Sequence, residues 1–293
     1  MKPPYPSYCA SAPHHVTSIW KPYYTNDVYL TGSKGIGVLL DPPTRVCKYK
    51  APPIIGKDAG SIELVVNLAK RFEEKHGCYI PLTDFYVFNP LPPGKGYAVS
   101  ASTLIAASMV FSYECKIPFE EGFEHAHAIE VQHKSGLGDV LAITKGYSIV
   151  LRTKPGSPRN GETISIPVPM GTSVVAIERE GQHTTELLAS YDKDASILAT
   201  RFLEVLQKHP NYQNFLRYSH EFSLAAGLHR FNDLIQKVKS WEGVVGVYAK
   251  KAVMMIFTQN IHLRRIVRLL AEMGFEPRVL EISYKPPTLF SYR

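Results

Sequence analysis

LPPGKGYAVSAS, residues 91–102, is the stretch on which the reading of this chain turns. Gly94 and Gly96 precede SASTLIAASMVFSYEC (100–115), a run of small and apolar residues that reads as a buried helix. A glycine loop feeding a helix N-terminus is an anion site. Unpaired backbone N–H groups and the positive end of the helix dipole meet there. Gly94 and Gly96 let the backbone approach a phosphate, and Lys95 adds a point charge. Ser100 and Ser102 can donate to phosphate or ligate Mg²⁺. An ordinary turn with a serine cap gives the same letters. The loop is not a Walker A loop, because GKG does not close a G-x-x-x-x-G frame with GK[ST].

Outward from the loop, DFYVFN (84–89) reads as the strand that leads in, and 58–77 as an amphipathic helix ending at His76-Gly77. Residues 28–41 and 44–51 read as two strands joined by an Asp-Pro-Pro turn. Downstream come a helix at 119–132 and strands at 148–154, 163–168 and 173–179. Near residue 181 the composition shifts to helical stripes, which close in a β-β-α-β pattern. The expectation is an α+β protein of two domains, 1–180 and 181–293.

The 293 residues are 45% hydrophobic and 20% charged, which fits a globular chain and excludes global disorder. No apolar run approaches the roughly 20 residues that span a bilayer, and the start lacks a secretory pattern, so a soluble cytoplasmic protein without a membrane partner is expected. The net charge of +7 is spread along the chain with no basic run. That speaks against nucleic acid and for a small anionic substrate, although a solvated basic surface explains it equally. Cys9, Cys47, Cys78 and Cys115 form no CxxC pair and read as reduced thiols.

A second stretch, HAHAIEVQHKSGLGD (125–139), carries the acids. On a helix His127, Glu130 and Lys134 share a face. Glu130 suits Mg²⁺, which takes one or two carboxylates plus phosphate oxygens. Asp139, behind a Gly-Leu-Gly turn, can accept or orient a hydroxyl proton. A transition-metal set of His125, His127 and Glu130 is disfavoured, because i, i+2 histidines leave a common helical face. SAPHHVTSIW (11–20) with TGSKGIG (31–37) reads by itself as a β-hairpin with a flexible tip, in which Gly32, Gly35 and Gly37 imply a bulge or close approach, with Lys34 among them.

Taken together, these stretches resemble the GHMP small-molecule kinases, and within them the archaeal pantoate kinase branch. The matching residues are Pro13-His14-His15-Val16-Thr17, Thr31 to Gly37, Gly94 to Ile105, Ala126 to Val131 and Ser135 to Val140. The resemblance implies a ribosomal protein S5-like N-terminal domain, a ferredoxin-like C-terminal domain and ATP·Mg²⁺ between them. It implies that Asp139 is catalytic, with His15 and Lys34 beside it. Pro93, Gly94, Lys95, Gly96, Ser100, Ala101 and Ser102 are expected to cradle the triphosphate, and Ser100 and Glu130 to ligate Mg²⁺. A homodimer fits the same expectation.

Departures bear on the substrate. Ala98 and Ala101 stand where the branch has glycines, and Lys250 and Lys251 stand near a turn that is glycine-rich in the family. The added basic groups tilt the expectation toward mevalonate 3-phosphate as acceptor, in a modified mevalonate pathway of isoprenoid biosynthesis. Pantoate, for coenzyme A biosynthesis, is the alternative. A non-catalytic nucleotide or metabolite binder is the more distant one.

Overall fold

The computed structural model describes residues 6–49, 59–180, 193–227 and 230–291. The chain folds around two long antiparallel strands, β1 (Tyr8–Tyr23) and β2 (Gly32–Lys48). β2 pairs in turn with β3 (Phe85–Phe88), β4 (Ile149–Lys154) and, through Leu40 and Asp41, with β9 (Arg278–Ile282). β5 (Glu162–Ile166) pairs with β4, and β10 (Thr288–Ser291) pairs with β1. On the other side of β9 lie β6 (Thr172–Glu178), β8 (Val253–Gln259) and β7 (Val244–Lys250), in that order.

The expected Asp-Pro-Pro turn is instead a bulge inside β2. Ala12 pairs with Thr44 and His14 with Leu40, so the chain on both sides of Asp41–Pro43 faces the same partner strand. Pro42 and Pro43 have no N–H to give the ladder, and the strand steps around them without reversing.

Helices α1 (Ala59–His76), α2 (Val99–Cys115), α3 (Phe119–Gln132) and α4 (Asp139–Lys145) cover one face of β1 and β2. α2 is the central one, buried at nearly every position from Ala101 to Ser112. Its small residues allow that, since Ala and Ser let α1, α3 and the sheet all approach closely. Burial of Leu104, Ile105, Val110 and Phe111 contributes about 1.5–3 kcal/mol each. α1 ends where expected, at Gly77 with φ +62°.

The opposite face of β1, β2 and β4 packs on α5 (Lys193–Lys208) and α6 (Tyr212–Ala226), which also bury the inner side of β6–β8 through Tyr248, Met255 and Phe257. The outer side of β6–β8 is closed by α7 (Asn232–Lys239) and α8 (Leu263–Glu272). This mixed α/β arrangement fits the α+β class that the sequence suggests. The expected boundary at 180 abuts residues 181–192, which lie outside the described residues. β6, just before it, is laid between β8 and β9. Among the described residues no helix is long and apolar enough to cross a membrane.

The reading of the cysteines is corrected. Cys9 is bonded to Cys47, its register partner across β1 and β2, and Cys78 to Cys115 at the ends of α1 and α2. No local spacing announces either bond. Strand pairing and helix packing bring together residues 38 and 37 positions apart.

Candidate active site

Asp139 opens α4, directly after Gly138. Its Oδ1 lies 2.7 Å from His15 Nδ1 and accepts from the Thr17 hydroxyl at 3.2 Å. His15 and Thr17 are alternate residues of β1, so they share one face of the sheet. Gly37, across from Thr17, leaves room for the imidazole: a β-carbon there would stand 2.5 Å from His15 Nε2. Gly35 does the same for Arg152, whose Nη2 would lie 2.3 Å from its β-carbon. These are the close approaches that the glycines of 31–37 imply.

Glu130 sits on α3, fully buried. Its Oε2 accepts from Val140 N–H at 3.4 Å, while Oε1 has no hydrogen-bond partner. Oε1 faces Gly136, where a β-carbon would be 2.2 Å away and 3.2 Å from Asp139 Oδ2. The two carboxylates therefore look into one small gap that glycine keeps open.

Three cations surround this gap. Arg152 of β4 is buried, with Nε on Ser33 O at 3.3 Å, Nη2 on Ser33 Oγ at 3.4 Å, and Nη1 without a partner. Lys250, at the end of β7, lies over the Trp20 ring, 4.7 Å from its centroid. Buried Lys251 follows it.

The charges are set by these neighbours. Burial pulls His15 down to about 4, against the pull of Asp139, so it is neutral at pH 7 and donates Nδ1–H. Burial alone would raise Asp139, but the His15 hydrogen bond and the charges of Lys250 and Arg152 outweigh it and hold the carboxyl well below its usual range. Burial, then the Asp139 charge, pushes Glu130 up to about 8. Burial pulls Lys250 down to about 7, although Asp139 attracts its charged form.

The phosphate loop reaches this cluster through backbone. His15 N–H donates to Tyr97 O at 3.2 Å. The α2 ladder begins at Ser102 N–H to Ala98 O, so the N–H groups of Val99, Ser100 and Ala101 stand outside it, as at any helix start. Ala98 adopts φ +53°, the conformation a glycine would take, at a cost of about 1–2 kcal/mol. Ala101 turns its side chain into the core, and Ser100 is half-buried in the first turn. Pro93 borders a cavity of about 700 Å³, lined by Val46, Val65, Phe85, Val87 and Leu91 among others. Gly94 is exposed beside it with φ +76°.

Four residues are placed elsewhere than the sequence suggests. Ser102 is fully buried, and its hydroxyl bonds Pro13 O at 2.8 Å and Ala98 O at 3.1 Å, because the fourth residue of α2 turns inward. Lys95 directs its ammonium to the Arg179 carbonyl, away from the mouth of α2. Lys34 alternates with Gly35, so it shares the strand face of Ile36 and Val38, and its Nζ lies 5.9 Å from the Tyr23 ring centroid. Lys134 leaves the face of His127 and Glu130, since α3 ends at Gln132 and Lys134 has φ +52°.

The sequence reading assigned no role to Thr17, Gly136 or Arg152. Arg152 carries a legible signal: an arginine within an otherwise apolar strand, SIVLRTK, has to be buried against acids.

The two histidines of α3 part company. His127 Nε2 bonds the carbonyls of Val28 and Thr31. His125 meets His76 Nε2 at 2.8 Å, with Glu121 nearby. Arg71 Nε–H donates to His125 Nδ1 at 3.2 Å, which places the neutral ring's proton on Nε2. That atom then makes a hydrogen bond and has no lone pair for a cation.

The family model "GHMP kinases N terminal domain" matches residues 63–147. Pantoate kinase of Methanospirillum hungatei is 27% identical over 229 residues, 75% of either chain. Pantoate kinase of Methanocaldococcus jannaschii is 28% identical over 226 residues, 74% of this chain and 80% of that one. Among solved structures, a "phosphotransferase related to CoA biosynthesis pathway" superposes with a TM-score of 0.83 at 19% identity, covering 97% of this chain and 99% of its own. "MDDEF in complex with MVAPP, AMPPCP and Magnesium" superposes at 0.69 with 12% identity, over 98% and 99%. Residues 63–147 thus match a GHMP kinase N-terminal domain, and the chain is an ATP-dependent phosphotransferase that acts on an alcohol.

Proposed function

We propose that the protein phosphorylates the primary hydroxyl of a small branched hydroxy acid, with pantoate as the acceptor, using ATP and Mg²⁺. The relatives at 27–28% identity are named pantoate kinase, which favours pantoate over the mevalonate 3-phosphate first expected. The observation that carries the chemistry is the gap at Gly136, where Asp139 Oδ2 and the unpartnered Glu130 Oε1 converge.

Glu130 and the Ser100 hydroxyl are the groups that would hold Mg²⁺. A buried carboxylate oxygen without a partner fits a hard divalent cation. Bound there, Mg²⁺ supplies positive charge to the phosphate oxygens. The N–H groups at the start of α2 take the phosphates, and the apolar cavity at Pro93 takes the base. Arg152 Nη1 is the free donor for the acceptor's carboxylate.

Asp139 then orients the hydroxyl. Oδ1 is held by His15 and Thr17, which leaves Oδ2 for the substrate. The hydroxyl oxygen bonds to the γ-phosphorus, the bond from that phosphorus to ADP breaks, and the proton passes to Oδ2. A carboxylate held at low pKa is a weak base. That suits a loose phosphoryl transfer, where the hydroxyl becomes acidic only late.

Mevalonate 3-phosphate is the second reading, favoured by Lys250 and Lys251, which bring charge for a dianionic acceptor. Purified protein with Mg·ATP and each acid in turn, followed by ADP release and ³¹P NMR of the product, separates them. Turnover of pantoate supports the first reading, and turnover of mevalonate 3-phosphate alone moves the assignment to the second. Turnover of neither, nor of any other hydroxy acid, overturns both.

A further inference from the structure

The tip of the β7–β8 hairpin, Lys250 to Ala252, is packed on the phosphate loop. Ala252 N–H donates to Lys95 O at 3.2 Å, and a β-carbon on Gly96 would stand 3.0 Å from Lys250 O. Lys251 holds φ +54°, and Arg230 N–H bonds its carbonyl at 3.3 Å. The hairpin turn is thus fixed against the loop at some cost in backbone strain.

From this anchored turn the Lys250 side chain runs over Trp20, 4.7 Å from the ring centroid. Trp20 pairs with Gly35, the residue whose open side receives Arg152. The charges of Asp139, Glu130 and Arg152 all act on the ammonium. Contact with a tryptophan face holds a lysine by only about 0.5–2 kcal/mol. A phosphate oxygen outcompetes that.

On the kinase reading above, we propose that Lys250 is a catalytic cation, which moves from Trp20 to the non-bridging oxygens of the γ-phosphoryl as it passes from ATP to the acceptor hydroxyl. Arg152 and Lys250 divide the work by position. Arg152 is bound to Ser33 beneath Gly35, on the acceptor side, and Lys250 is tied through its backbone to the phosphate loop. Lys250 acts in its protonated form and passes no proton to or from the substrate. It supplies positive charge while charge spreads over the three phosphoryl oxygens.

The test compares wild type with Lys250→Met and Lys250→Arg, using Mg·ADP alone and Mg·ADP with aluminium fluoride as a mimic of the transferring phosphoryl. Lys250→Met should lower kcat about 10²–10³-fold with the KM for ATP within about threefold. It should bind Mg·ADP normally but lose the tighter complex with aluminium fluoride, and Lys250→Arg should recover part of both. In a Trp241→Phe background, which leaves Trp20 as the reporter, aluminium fluoride should change the fluorescence only when Lys250 is present. Lys250→Met retaining kcat within threefold overturns the proposal. So does equal weakening of both complexes, which would make Lys250 a general nucleotide contact. An unaltered melting temperature of Lys250→Met guards against a folding defect. A wild-type protein that transfers phosphoryl to no alcohol overturns the kinase reading itself, and Lys250 with it.

Discussion

His15 Nδ1 and Asp139 Oδ1 stand 2.7 Å apart across 124 residues of sequence. β1 delivers the imidazole and the start of α4 delivers the carboxylate. Thr17 takes the same oxygen, so Asp139 is clamped on one side and open on the other. Asp139→Asn removes the charge and the proton acceptor but keeps the shape. It should lower kcat by about 10³-fold or more, with ATP affinity little changed. Steady-state kinetics and nucleotide titration measure both. A raised KM at unchanged kcat would place Asp139 in binding and not in the chemistry.

Gly136→Ala should separate metal use from folding. The new methyl would intrude on Glu130 Oε1 at 2.2 Å and crowd Asp139 Oδ2. Backbone strain is not the cause, because Gly136 does not have positive φ. The expected result is a rise of at least tenfold in the Mg²⁺ concentration for half-maximal rate, at a melting temperature within a few degrees of wild type. An unchanged Mg²⁺ dependence would remove Glu130 from the proposed cation site.

Much of this was legible beforehand, and for identifiable reasons. The loop at 93–98 and Asp139 announce themselves because glycines next to a helix start are local patterns. Helix faces are partly readable from spacing: of the α1 stripe Ile62, Val65, Val66, Ala69 and Phe72, Val65, Ala69 and Phe72 are buried, Val66 is half-buried and Ile62 is exposed near the helix start. What depends on strand pairing was not readable. Lys34 neighbours Gly35 in sequence but lies on the opposite face. Arg152 reaches the site only because β4 pairs with β2 in the register Gly35↔Arg152. The hairpin of 11–20 with 31–37 is present as the pairing of β1 with β2, but spacing did not show that the polar residues of PHHVTS are buried.

Arg152→Lys should show whether the guanidinium holds the acceptor. Lysine keeps the charge but loses the fork that bonds Ser33 while presenting Nη1. The expected change is a rise of about tenfold or more in the KM for the hydroxy acid, with the KM for ATP unmoved. Equal changes in both would indicate a general disturbance around Asp139.

The two disulfides should be measurable in the intact protein. Each closes a loop of nearly forty residues, worth about 4 kcal/mol on the chain-entropy account. Excess dithiothreitol should therefore lower the melting temperature by about ten degrees or more. The Cys78→Ser, Cys115→Ser double variant should reproduce part of the loss without reductant. Thiol titration of the unreduced, denatured chain should find no free thiol. Four titratable thiols would refute both bonds.

Acid should weaken the fold through His14. Its ring is fully buried beside Thr44 and Ser102, and burial holds it at about 4, against 6.5 for an ordinary histidine. Between those values the unfolded chain takes up a proton that the folded ring refuses. The stability contributed by neutral His14 is therefore present above pH 6.5 and is lost as pH falls from 6.5 toward 4, by on the order of 3 kcal/mol. His15 and His125, both also held at about 4, add to the same slope. Urea midpoints measured between pH 4 and 7 should fall steadily with acid, and His14→Gln, which cannot take the proton, should flatten the fall. A variant whose midpoint tracks wild type across the whole range would show that His14 titrates freely, contrary to its burial.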